Sequence, residues 1–171
     1  AELTLQDARL ADNLFVLDRG FFSLSESVLD IDILLRSTSS SEPLKLVGKL
    51  PFNASLPIDL RIESHGDGLY FLDGLTEGSL SWKYGTADLR FLITGTLDDL
   101  KANGFLVIRR GEFVVYENVI KKLDAAILFD FDRFEIINFR AKVGDRGRIT
   151  GSGAIPLFRS EIAEDKPLLI K

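Results

Sequence analysis

Apolar and polar residues alternate with a period of two along most of this 171-residue chain. Leu29, Ile31, Ile33 and Leu35 share one parity, and Asp30, Asp32 and Arg36 the other. The same reading puts Leu46 and Leu50 (with Gly48) opposite Lys45 and Lys49, and Ile58, Leu60 and Ile62 opposite Asp59, Arg61 and Glu63. Leu80, Trp82 and Tyr84 alternate with Ser81 and Lys83, and Leu89, Phe91 and Ile93 with Asp88, Arg90 and Thr94. Ile127, Phe129 and Phe131 oppose Asp130 and Asp132, and Leu106, Ile108, Phe113, Val115, Ile137, Phe139, Ile149 and Ile155 extend the apolar parity. Successive side chains of a strand point to opposite faces, so each run has one dry face and one wet face. That is the signature of antiparallel sheet solvated on one side. An all-β fold is predicted.

Turn signals separate the runs: Asp18-Arg19-Gly20, Ser37 to Glu42, Asn53-Ala54-Ser55, Gly66-Asp67-Gly68, Tyr84-Gly85, Asp98-Asp99, Arg110-Gly111 and Gly144 to Gly147. About ten to twelve strands in a meander are expected. Parity blurs at Phe21-Phe22, at Gly104 to Ile108 and at Ile136-Ile137. A β-bulge explains such slips, because one extra residue flips the facing of everything after it. Only Gly68 to Gly74 reads as a helical turn, although Asp7 to Leu17 also permits a helical start. Gly48-Lys49-Leu50-Pro51-Phe52 is echoed by Gly153-Ala154-Ile155-Pro156-Leu157, an offset of 105 residues. Pro57-Ile58 and Pro167-Leu168 follow the two copies, so the chain reads as a single module of a repetitive β array, 1–171, with a boundary near 48–57 echoed near 153–167.

Composition narrows the function classes. Hydrophobic residues make up 46% of the chain, which excludes wholesale disorder. Lys plus Arg is 21 against 26 Asp plus Glu, a net charge of −5. With no Lys/Arg stripe visible along the sequence, nucleic acid and anionic membrane surfaces are poor partners. Zero Cys excludes a disulfide framework, a zinc-thiolate site and a cysteine nucleophile. Zero Met leads us to expect that Ala1 marks a processed product or an excised piece of a longer chain. His65 is the one histidine and stands in a Ser-His-Gly-Asp-Gly turn without a second His. Asp98-Asp99 and Asp130/Asp132 lack the tight Gly-containing oxygen cage of a calcium loop. Arg109-Arg110 and Arg146/Arg148 form small basic spots at strand ends, where a solvated turn is the plainer reading than phosphate or headgroup contact. No phosphate loop, nucleophile elbow or paired catalytic carboxylates appear, so no metal, no cofactor and no enzymatic activity are expected.

The succession from Leu80 to Phe113 includes Ile93-Thr94-Gly95-Thr96-Leu97, then Asn103-Gly104-Phe105-Leu106-Val107-Ile108 and Gly111-Glu112-Phe113. In its order and spacing it resembles the repeats of the TamB family, the inner-membrane subunit of the translocation and assembly module. Gly151-Ser152-Gly153-Ala154-Ile155-Pro156-Leu157 is similar to that family's strand-closing motif. The flavour is cyanobacterial or plastid, and the likeness covers roughly residues 40 to 171. It implies a segment of a long envelope protein, anchored in the inner membrane and crossing the periplasm (the intermembrane space in a plastid). It also implies the apolar β-groove of AsmA-like, bridge-like lipid-transfer proteins, with phospholipid acyl chains as ligand. An outer-membrane barrel of the Omp85 class is the implied partner, and neighbouring repeats of the same chain would adjoin the module. Phe105 and Val107 depart from the family, which usually has a polar residue there.

The pattern leads to a similar place without the resemblance. About eleven strands at roughly 4.8 Å spacing make a sheet about 50 Å long. Its apolar face would exceed ~1,000 Å², against ~300–600 Å² for the largest patch on a typical soluble monomer. Such a face must be covered by closure, by a second layer or by ligand. Three readings follow: a lipid-conducting trough with an apolar concave face, a scaffold for outer-membrane barrel assembly acting at a sheet edge, and a self-contained lipocalin-like carrier that needs a closed barrel.

Overall fold

Each predicted strand pairs with the next in the chain, and no strand is skipped. The computed structural model describes residues 1–10, 15–76, 78–116, 118–131, 133–144, 147–156 and 169–170. In chain order the elements are β1 (Glu2–Leu10), β2 (Phe15–Ser25), β3 (Val28–Ser37), β4 (Leu44–Pro51) and β5 (Ile58–Ser64). A 3-10 turn (Gly68–Tyr70) then runs into the short helix α1 (Phe71–Leu75). β6 (Leu80–Thr96), β7 (Asp99–Val115), β8 (Asn118–Phe131), β9 (Arg133–Val143), β10 (Gly147–Pro156) and the two-residue β11 (Leu169–Ile170) complete the chain. All lie in one antiparallel sheet in the order β1 to β11. The sheet is open, because β1 and the β10–β11 end do not pair among the described residues. The closed barrel of a lipocalin-like carrier is therefore not formed. Residues 11–14, Asp132, Asp145, Arg146 and 157–168, on which parts of the sequence reading fell, lie outside the described residues.

Directly paired residues share a face, and the register carries one apolar face across the sheet. One row runs Phe22, Ile31, Gly48, Leu60, Ile93 and Ala102. The next runs Leu46, Ile62, Phe91, Gly104, Phe129 and Phe134. Gly104 has φ +144°, and a Cβ there would lie 1.9 Å from the Arg90 carbonyl oxygen, so only glycine fits. Phe91 and Phe129 meet over it with ring centroids 4.6 Å apart. Gly48 occupies the same kind of place, with φ +153° and Asp59 O 1.9 Å from a would-be Cβ. The 105-residue echo also recurs as register: Leu29↔Leu50 and Ile31↔Gly48 correspond to Phe134↔Ile155 and Ile136↔Gly153.

Three predicted turns are bulges inside longer strands. Asp18-Arg19-Gly20 lies within β2, Tyr84-Gly85 within β6 and Arg110-Gly111 within β7, each at a register shift. In β6 and β7 the same residues serve turn and bulge because both sites take positive φ, Gly85 at 115° and Arg110 at 52°, as does Lys122 in β8 at 52°. The β2 bulge has no positive-φ residue. The bulges of β6, β7 and β8 lie side by side and bend the sheet there. The slip near Phe21-Phe22 arises a few residues earlier, between Leu17 and Arg19. Tyr84, expected on the apolar face, is 64% exposed as a result of its flanking register shifts.

The buried core sits at one end of the strands, under the helical segment. Leu69 and Phe71 of that segment cluster with Phe15 of β2, Trp82 and Ala87 of β6, Ile108 and Phe113 of β7, Leu123 and Ala125 of β8 and Ala141 of β9. Side chains from β2 and β9 join one cluster only because the sheet curls, apolar face inward, around the helix. Phe15 lies against Gly74, where a Cβ would meet the ring at 2.1 Å. A five-residue helix is not stable by itself, so packing holds it. Trp82 is fully buried and meets Phe113 edge to face at 4.7 Å. Its indole N–H has no partner among the described residues. Trp82→Ala is expected to lower the unfolding free energy by about 3–5 kcal/mol in urea titrations. Trp82→Phe should cost much less, since it keeps an aromatic ring and removes the unpaired donor.

Candidate functional site

The inner face of the curled sheet is apolar from end to end, yet most of it is only half-buried. Leu29, Ile33, Leu46, Leu50, Leu60, Ile62, Leu89, Phe91, Ile93, Ile127, Phe129, Ile149 and Ile155 all lie there with intermediate exposure. A sandwich core would bury such side chains, and a flat solvated sheet would expose them. Half-burial is the condition of a lining that neighbours shield from the side and nothing covers from above. Among the described residues, the only second layer is the helical segment of residues 68–75.

Several predicted lining residues are placed differently. Trp82, Ile108 and Phe113 are buried in the core with the helical segment, and Leu35, Leu80, Leu106, Val115 and Phe139 are half-buried against that core, so they border the open lining rather than form it. Ile31 and Ile58 are on the inner face but buried, at 5% and 7% exposure. Phe131 ends its row opposite Ala102 and is 55% exposed. Ile137 does not line the face at all. It is the extra residue of a bulge, because Ala126 pairs with Asn138 while Ile127 pairs with Ile136. Ile136 takes the inward place and Ile137 is 57% exposed. Sequence reasoning also passed over Phe22, Phe134 and Ile136, which the register puts on the inner face. The doubled Phe21-Phe22 and Ile136-Ile137 were the available signal, since one residue of each pair must face in.

Polar anchors hold the helical segment over the end of the trough. The Asp73 carboxylate accepts the Trp82 N–H at 2.9 Å and the Ser81 hydroxyl at 2.8 Å. The Tyr70 hydroxyl donates to the Lys83 carbonyl at 2.9 Å, and Ala87 N–H to the Gly66 carbonyl at 2.8 Å. Just before the segment, Asp67 ties down the β3–β4 loop. Its carboxylate accepts the Ser41 and Glu42 N–H groups at 3.0 Å each and the Ser40 hydroxyl at 2.9 Å. Partial burial pushes the Asp67 carboxyl up, but these hydrogen bonds outweigh it and hold the group below its usual value near 3.8.

The outer face is polar and laced with ion pairs. Arg19–Asp32, Arg36–Asp18, Lys49–Asp30, Arg90–Glu63 and Arg109–Asp88 span neighbouring strands at 2.9 to 3.6 Å. Exposed pairs of this kind add little stability, but opposite charges in register favour one pairing over its slipped alternatives. His65 joins Asp88 at 3.3 Å in the same network, next to Arg109. Phe105 and Leu128 oppose each other on this outer face and are 36% and 40% exposed. A hollow across β2 to β5 combines Phe21, Ile31 and Val47 with the charged Asp30, Asp32, Lys49, Asp59 and Arg61. Among the described residues, no group of three or more His, Cys, Asp or Glu side chains is placed to hold a metal ion.

No protein-family model, no curated protein and no solved structure matches this chain. The geometry itself therefore carries the functional reading. For Asp67, a carboxyl depressed in the fold adds stability above its unfolded pKa and loses it as pH falls through the folded one. Asp67→Ala is thus expected to destabilise the protein at neutral pH, with the deficit closing below about pH 4. Thermal melts across the acid range would show it.

Proposed function

We propose that the chain is a module of a TamB-family envelope protein, whose apolar trough binds and conducts phospholipid acyl chains between the inner and outer membranes. One observation supports the reading above all others. An apolar, half-buried inner face runs across the sheet, and among the described residues it has no second layer beyond the helical segment. Among the described residues Leu, Ile and Phe make up most of that lining, with few hydrogen-bonding groups, which suits chains that differ little from one another. Binding there is burial, at about 0.8 kcal/mol per CH₂ group. No chemical step is involved, and no cofactor or metal is needed.

In this reading the module works in the periplasm, or in the intermembrane space of a plastid envelope. Its parent protein is anchored in the inner membrane and meets an Omp85-class outer-membrane barrel. A second reading, a scaffold for barrel-protein assembly, draws on the free edge of β1. Among the described residues that nine-residue strand has β2 as its one partner, leaving a row of N–H and C=O groups for an added strand.

The two readings separate experimentally. Native mass spectrometry of the purified chain should detect co-purified phospholipid, or uptake of phosphatidylglycerol after delipidation. Phe91→Arg and Phe129→Arg should abolish that uptake while leaving the β-sheet circular dichroism intact. Leu5→Pro, at the β1 edge, should leave lipid uptake unchanged. Wild-type lipid occupancy in both arginine variants would end the conduit reading. Loss of partner-strand binding in Leu5→Pro alone would favour the scaffold.

A further inference from the structure

The outer face breaks its own pairing rule at one corner. Elsewhere cations stand opposite carboxylates: Lys49 is flanked by Asp30 and Asp59 across β3, β4 and β5. On β8, β9 and β10, by contrast, Lys121 stands opposite Lys142 and Lys142 opposite Arg148. Like charges directly opposed across strands are destabilising. Lys122, in the adjoining bulge, adds to the group, and Arg140 lies beside it with Asp124 as its cross-strand partner; all five side chains are exposed. None of the five forms an ion pair within 4.0 Å among the described residues. Four of them line a hollow of about 450 Å³ whose one carboxylate, Asp124, already accepts the Arg110 N–H at 3.1 Å. Among the described residues, Glu112, opposite the bulge, is the other carboxylate close by in the register.

We propose that this cationic corner docks the chain on an anionic membrane surface, through the phosphate groups of lipids such as phosphatidylglycerol. Uncompensated cations in register gain what they lack when phosphate oxygens sit over them. Two exposed tyrosines lie on strand β6 and in the β7–β8 hairpin. Tyr84 is 64% exposed opposite Glu112, and Tyr116 is 76% exposed in the hairpin that leads into β8. Tyrosine suits the boundary between headgroups and acyl chains, with its ring in the apolar layer and its hydroxyl in the polar one. The row spans only three strands, about 10 Å, which fits a few headgroups better than the backbone track of a nucleic acid. The net charge of −5 does not prevent docking, because screening confines the repulsion from distant carboxylates to about 8 Å at physiological salt. The proposal rests on surface charge and is independent of what the trough carries.

Co-sedimentation of the 171-residue chain with vesicles tests it. Phosphatidylcholine vesicles containing phosphatidylglycerol should bind the chain at near-physiological salt, and pure phosphatidylcholine vesicles should not. Lys121→Gln/Lys142→Gln/Arg148→Gln should weaken binding by about 100-fold, at roughly fivefold per charge removed. The same triple variant should melt no lower than wild type, since it relieves like-charge contacts. Lys45→Gln/Lys49→Gln/Lys101→Gln changes net charge equally and should bind vesicles within about twofold of wild type, as expected for ion-paired or distant surface charges. Equal binding to both vesicle types, or equal losses in both triple variants, would overturn the proposal. So would displacement by soluble glycerol phosphate at matched phosphate concentration, which would mark a site for a free phosphate group.

Discussion

Everything in this structure depends on keeping one parity through ten successive antiparallel ladders. A strand shows its side chains to alternate faces, so a slip of one residue in any ladder would turn the next strand's leucines and isoleucines outward. The chain uses bulges to manage this rather than to avoid it. Asp18 is the extra residue in β2, and Ile137 the extra residue in β9. After each, the apolar rows resume on the same side. The cross-strand pairs Arg19–Asp32 and Arg36–Asp18 sit at the first of these sites and hold its register from the polar side.

A sheet with one continuous apolar face cannot stay flat in water. Here it curls, and the half-burial of Phe91, Ile127 and their neighbours is the result. Glycine at Gly48 and Gly104 lets the backbone follow a curve that a Cβ would block. At one end the problem is solved differently, by the helical segment 68–75 packed on Trp82 and Phe113. That end is a conventional core, and along the rest of the face, where a few side chains such as Ile31 and Ile58 are buried, there is no second layer among the described residues. The contrast within one sheet makes the open part informative: the same chain covers apolar side chains fully where it has a second layer to do so.

Much of this was legible beforehand because alternation is a local property. The runs at Leu29–Leu35, Ile58–Ile62 and Leu89–Ile93 read directly as strand faces, and the Gly68 to Gly74 segment read as the helical turn it is. Other positions were misread for a common reason. Asp-Arg-Gly, Tyr-Gly and Arg-Gly reverse a chain in one context and bulge it in another, and the local sequence does not tell them apart. The outcome depends on whether the partner strand continues past the site, as β7 does alongside Tyr84 and β8 alongside Arg110. Trp82 was rightly placed on the apolar face, but its role as core came from a helix that crosses over it.

What the sequence by itself determined is the class of object: an all-β meander with one dry face, glycines on that face, and a 105-residue echo that reappears as identical strand register. Those features follow from the two-residue period and from backbone sterics, which act between near neighbours. Only the tertiary structure decided which residues share a row. Lys121, Lys142 and Arg148 lie 21 and 6 residues apart and look unrelated along a chain of net charge −5. Two hairpins bring them side by side. Charge patterns across strands belong to register, and register is set by the whole sheet.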